Sequence, residues 1–151
     1  MLIDKIEEDL KTALRSKDSL KLGALRMLKA AIGNYLIEKK KDKADDSEVT
    51  TLIQKQVKMR QESIESYKKA GRQELLAKET AEKAFLETYL PQQLSDEELA
   101  QIIKSVVSSL GAKSAADTGR VMKEVMPKVQ GRADGKRVNQ LVTQSLQPSK
   151  V

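Results

Sequence analysis

A chain of 151 residues with 39% apolar and 33% charged side chains is globular and helix-biased, long enough for one ordinary domain or two small ones. The absence of cysteine excludes disulfides, iron–sulfur clusters and thiolate chemistry, and the absence of histidine removes the commonest near-neutral acid/base and imidazole metal ligand. The net charge of +6 is unevenly placed: residues 112–151 hold eight Lys/Arg and three Asp/Glu, net +5, which leaves +1 for residues 1–111.

Leu2, Ile3, Ile6, Leu10 and Leu14 recur at helical spacing, and the break at Ser16-Lys17-Asp18 ends a first helix near Lys17. This segment is amphipathic like a mitochondrial transit peptide, but Asp4, Glu7, Glu8 and Asp9 are acidic where such peptides avoid acid. No apolar run reaches the roughly eighteen residues of a membrane span. Cytoplasm is the expected compartment. A second helix from Asp18 carries the stripe Leu22, Leu25, Leu28, Ile32 and Leu36 and dissolves in the charged run 38–46. Asp46 or Ser47 is the expected cap of a third helix, with Val49, Leu52, Ile53, Val57, Ile64 and Tyr67 inward and Gly71 at its end. The Asp45-Asp46-Ser47-Glu48 group has the composition of a Mg²⁺ site, but a helix-start cap explains it better.

Leu75, Leu76, Ala84, Phe85 and Tyr89 predict a fourth, linking helix stopped by Pro91, because a residue preceding proline avoids the helical region. Ser95 and Glu98 form a capping-box pair opening a fifth helix, with Leu99, Ile102, Ile103, Val106, Val107 and Leu110 inward and Gly111 ending it. A short helix over 117–126 and a last one from Asp134 to about Leu146 complete the chain. No segment alternates with period two. The expected fold is all-α: an N-terminal antiparallel helical bundle with its linker helix over 1–90, then a small C-terminal three-helix domain over 95–148.

The segment 117–142, DTGRVMKEVMPKVQGRADGKRVNQLV, is the most informative stretch of the chain. On a helical projection Val121, Met122, Val125 and Met126 share one side, and Arg120, Lys123 and Glu124 the other. The first side reads as core. The second reads as a solvated face or a contact surface, and it is followed by a loop from Pro127 to Arg137 that adds four cations beside a helix N-terminus. Asp134 as N-cap would occupy the amides there, which leaves phosphate contact to the flanking Arg132, Lys136 and Arg137. The run GRADGK imitates a phosphate-binding loop, but only three residues separate its glycines and Arg137 follows the lysine, so nucleoside triphosphate binding is rejected. Tyr35, Tyr67, Phe85 and Tyr89 all precede the basic region, which therefore lacks a base-stacking platform.

This same motif, together with ALRMLKAAIGN (24–34), RQESIESYKKAGR (60–72) and YLPQQLSDEEL (89–99), resembles the YqeY family, whose domain also forms the tail of GatB, the B subunit of the tRNA-dependent amidotransferase. The resemblance covers nearly the whole chain. Thr118 departs from it, standing where most members carry methionine, a change expected to alter helix-start packing. The resemblance implies two helical lobes and, by analogy with the amidotransferase tail, a grip on the elbow of a folded tRNA. Phosphorylation, amide transfer and ammonia release belong there to other domains and subunits.

The leading expectation is thus a non-catalytic tRNA-binding or amidotransferase-related accessory module, with Arg120, Lys123, Lys128, Arg132, Lys136 and Arg137 contacting phosphates of tRNA or another folded RNA. No catalytic, cofactor or metal residue is assigned. A protein–protein interaction module without nucleic acid is the first alternative. Carbon–nitrogen ligase activity with glutamine as nitrogen donor is implied by the resemblance alone, and the residues argue against it. The expected oligomeric state is a monomer or a weak homodimer through the N-terminal bundle.

Overall fold

The computed structural model describes residues 1–147, so the last residue of the expected C-terminal domain, at 148, lies outside the described part. Seven α-helices and one 3-10 turn, with no strand among the described residues, make the protein all-α. The chain divides into two compact units, Met1–Leu90 and Pro91–Val151.

Helices α1 (Leu2–Ser16), α2 (Ser19–Lys39), α3 (Asp46–Ala70) and α4 (Gln73–Glu87) form the first unit. Local chemistry sets their ends. Asp18 accepts from the Lys21 amide to open α2, and Asp45 and Glu48 bond each other's backbone in a capping box that opens α3. The cap of α3 is therefore one residue earlier than expected. Asp46 instead accepts from the Leu2 amide at 2.9 Å and so caps α1, 44 residues away. Gly71 closes α3 with φ 68°, the left-handed geometry that glycine adopts at least cost.

Ile6, Ala24, Leu25, Leu28, Val49, Ile53 and Leu86 form the centre of this core. Helix α4 is no mere linker: its most extensive packing partner is α3, and it also meets α2. The inward residues of α4 are Glu82 and Leu86, while Leu75 and Ala84, part of the pattern that predicts this helix, are exposed. The far half of α3 buries polar groups in place of the apolar stripe. Arg60 is 3% exposed and reaches Glu82 at 3.3 Å, with Gln56 beside it at 3.5 Å and the Met27 sulfur at 3.6 Å. Gly23 on α2 leaves room for this pair, since a Cβ there would sit 3.7 Å from Glu82 Oε1.

Gly33 differs. A Cβ at that position would meet nothing within 4 Å, so its helix cost relative to alanine, about 0.8–1 kcal/mol, has no steric reason inside the unit.

The second unit packs α5 (Asp96–Leu110), α6 (Thr118–Val129) and α7 (Gly135–Leu146) against one another. Ser95 and Glu98 form the predicted capping box, and Gly111 ends α5 at φ 63°. The core is almost wholly aliphatic, built on Leu99, Ile103, Val121, Val125, Val129, Val138 and Val142. Helix α6 runs past its expected end at Met126 and carries Pro127 inside its last turn. Val125 and Val129, four apart and both fully buried, hold that turn helical, and the proline forfeits only one terminal hydrogen bond. The connecting loop is accordingly shortened to residues 130–134.

Glu82→Ala should lower the stability of the first unit by about 3 kcal/mol, because it leaves Arg60 buried without its counter-charge. The Arg60→Met/Glu82→Leu double variant should recover most of that loss in thermal unfolding. Glu48 accepts from Lys41, Tyr35 and the Asp45 amide, which together hold its carboxyl down at about 2. A depressed carboxylate contributes stability above its ordinary pKa and loses it as pH falls through the folded value. Glu48→Gln should therefore flatten the stability profile between about pH 4.5 and 2 in acid titration of the unfolding midpoint.

Candidate nucleic-acid interface

The six cations singled out from the sequence do not converge on one point. Arg120 in the first turn of α6 and Lys123 at its middle lie on the side opposite its buried valines, with Arg120 bonded to Asp117 at 3.2 Å. Lys128 lies about 12 Å farther along the helix axis than Arg120. It lines an open groove with Arg132, together with Ile102, Val106, Gln101 and Ser105 of α5. Lys136 is exposed in the first turn of α7, and Arg137 beside it is half-buried.

Partners sort them further. Arg137 grips Asp96 with both arms, from Nε at 3.1 Å and from Nη2 at 2.5 Å, and also reaches Gln140. This pair joins the first turns of α5 and α7. The Asp96 carboxyl lies below its ordinary range through the Arg137 hydrogen bond, and the guanidinium is raised in return. Arg132 donates from Nε to the Gln92 carbonyl at 3.2 Å, while its own carbonyl accepts from the Leu94 amide at 2.8 Å. Gln93 adds a bond to the Gly131 carbonyl at 2.9 Å. The segment entering α5 is thus laced to the loop between α6 and α7.

Asp117 also accepts from the Lys113 and Ser114 amides, which lower its pKa more than Arg120 does. Thr118 donates to the Ala115 carbonyl at 2.7 Å and seats the 3-10 turn that precedes α6. The side chains of Lys123, Lys128 and Lys136 make no ion pair or hydrogen bond among the described residues. They are the uncommitted positive charge of the unit. Sequence reasoning missed Asp96, Gln92, Gln101 and Ser105, because Asp96 and Gln92 meet their arginines across 41 and 40 residues and the other two read as ordinary polar helix positions.

No group of three or more metal-ligating side chains occurs among the described residues, and Asp45, Asp46 and Glu48 are each already bonded within helix-start contacts.

Comparison with known proteins bears directly on this motif. The family described as Yqey-like protein matches residues 3–146. The chain belongs to that family. A relative from Pyrenophora tritici-repentis, named altered inheritance of mitochondria protein 41, mitochondrial, is 34% identical over 137 residues, 88% of this chain and 74% of its own length. The protein of that name from Saccharomyces cerevisiae (strain ATCC 204508 / S288c) is 28% identical over 129 residues, 84% of this chain and 69% of its own. One from Vanderwaltozyma polyspora is 34% identical over 85 residues, 56% of this chain and 46% of its own. These names state no reaction and no ligand. They also overturn the cytoplasmic expectation, since the relatives matched are named as mitochondrial proteins. The acidic residues of α1 argued against a transit peptide in this segment, and that argument does not reach the compartment in which the relatives are named.

Asp96→Asn should lower the urea midpoint at pH 6, because the variant cannot offer Arg137 a charged partner. The difference from the unaltered protein should shrink as pH falls below the ordinary carboxylate range, where Asp96 itself becomes neutral. Helical circular dichroism across the two pH values measures this.

Proposed function

We propose that the protein is a non-catalytic accessory module that holds a folded RNA of the tRNA type through phosphate contacts of its C-terminal unit. The observation that carries this reading is the set of unpaired cations Lys123, Lys128 and Lys136 around a small aliphatic core, with Arg132 beside Lys128 at the groove. Membership of the YqeY family supports the choice of RNA through the likeness of this domain to the amidotransferase tail. Arg120 and Arg137, expected among the contacts, serve chiefly to hold Asp117 and Asp96, so they shape the unit that presents the other cations.

With no aromatic side chain after Tyr89, the contacts rest on charge and shape, and recognition of base sequence is weak. Gln101 and Ser105 are polar groups available to sugar or phosphate oxygens along the same groove.

Filter binding of folded tRNA over a salt series tests the proposal. Three to four phosphate contacts give a slope of log affinity against log salt of about −3, and each Lys→Ala at 123, 128 or 136 reduces it by about 1. Arg137→Ala should weaken binding through loss of folded unit and leave the slope of the remaining folded protein nearly unchanged. Affinity indifferent to salt, or preserved when all three lysines are reversed to glutamate, overturns the proposal.

A further inference from the structure

The groove where Lys128 and Arg132 meet α5 has two unlike walls. Its volume is about 470 Å³. Cations stand on one side only, with Lys128 in the last turn of α6 and Arg132 just after that helix. Arg132 is held by the bond from its Nε to the Gln92 carbonyl, and its Nη groups make no hydrogen bond or ion pair among the described residues. The other wall is Glu98, Gln101 and Ser105, which follow one another at spacings of three and four and so share one face of α5. Glu98 accepts from the Ser95 amide with one carboxylate oxygen, at 3.0 Å. Gln101 and Ser105 are exposed, and their side chains make no hydrogen bond among the described residues. Half-buried Ile102 and buried Val106 give the groove an apolar floor.

A row of phosphates alone does not suit this arrangement, because the Glu98 carboxylate repels an anion laid against α5. A sugar with its phosphate does suit it. The 2′-hydroxyl of ribose both donates and accepts, the carbon face of the ring is apolar, and the attached phosphate is anionic. We infer that the groove holds one ribose with its phosphate, the phosphate toward Lys128 and Arg132 and the 2′-hydroxyl toward Gln101 and Ser105, so that α5 selects RNA over DNA. This rests on the RNA reading above and adds the chemical group that is read. Gln101 offers an amide oxygen and an amide NH2, Ser105 a hydroxyl, and Glu98 its second oxygen, so a 2′-hydroxyl finds partners for both of its roles. Deoxyribose brings nothing to that wall, whereas its phosphate meets the same cations. Affinity and discrimination thus reside on opposite walls.

Filter binding of folded tRNA and of DNA of the same sequence, each over a salt series with the full chain, tests this. The unaltered protein should prefer the RNA about tenfold. Gln101→Ala/Ser105→Ala should abolish that preference by weakening RNA alone, with DNA affinity and the salt slope for RNA unchanged. Both positions are exposed on helix, where alanine is favourable, and unchanged helical circular dichroism confirms the fold. Lys128→Ala should do the reverse, weakening RNA and DNA by the same factor and keeping the preference. A preference that survives in the double variant belongs to the shape of the nucleic acid and overturns the inference. So does RNA that binds with the expected salt slope but no tighter than DNA, an outcome that leaves the RNA reading standing. Binding of neither nucleic acid in a salt-dependent way defeats that reading, and this inference with it.

Discussion

Arg60 and Glu82 neutralise each other at the meeting of α3 and α4, each almost completely withdrawn from water. A buried ion pair costs several kcal/mol of desolvation per ion, and its mutual attraction repays that only in good geometry. The surrounding residues are arranged for that geometry: Gln56 lies one turn before Arg60, Gly23 makes space on α2, and Met27 brings its sulfur to the guanidinium. Once the pair is fixed, α4 has one depth and one register against α3. Leu86, one turn beyond Glu82, then falls into the core. Phe85 and Tyr89 meet edge to face at 5.6 Å, and the Tyr89 hydroxyl donates to Asp9 on α1 at 2.5 Å. Burial and that carboxylate both raise the tyrosine pKa, so the contact stays neutral on the phenol side.

The second unit works by a different economy. Among the described residues its core has no buried charge and no aromatic ring; valines spaced four apart on α6 and α7 interlock over Leu99 and Ile103. Polar chemistry is confined to the ends of the helices, where Ser95, Asp96, Asp117, Arg132 and Arg137 tie loop to loop. A basic surface on so small a unit requires that some cations be spent on its own acidic groups. The remaining lysines are then presented on rigid helix.

Features decided within one turn of chain were legible in the sequence. The capping box at Ser95 and Glu98, the glycine stops at Gly71 and Gly111, and the opposed faces of α6 are all local, and they lie where spacing placed them. The misplaced features depended on distant partners. Charged helical residues are usually solvated, and nothing nearby in sequence pairs Arg60 with Glu82. On α4 the buried apolar residue is Leu86, which the helix-predicting pattern did not include, because the face of α4 is set by a carboxylate, against the usual apolar rule. The expected helix over 117–126 ends short of Pro127, yet the burial of Val129 carries the helix through it. In the basic motif the inventory of cations was readable, but which arginines were already engaged was not, since Asp96 and Gln92 approach from a different helix start.

The partition of ring-bearing side chains has a practical corollary. Tyr35, Tyr67, Phe85 and Tyr89 all belong to the unit ending at Leu90, and the protein has no tryptophan. Near-ultraviolet absorbance, tyrosine emission and near-ultraviolet dichroism therefore register the first unit alone, whereas amide dichroism registers both. The molecule carries a built-in pair of optical reporters, and a melt of one unit can be distinguished from a melt of the other without attaching any label.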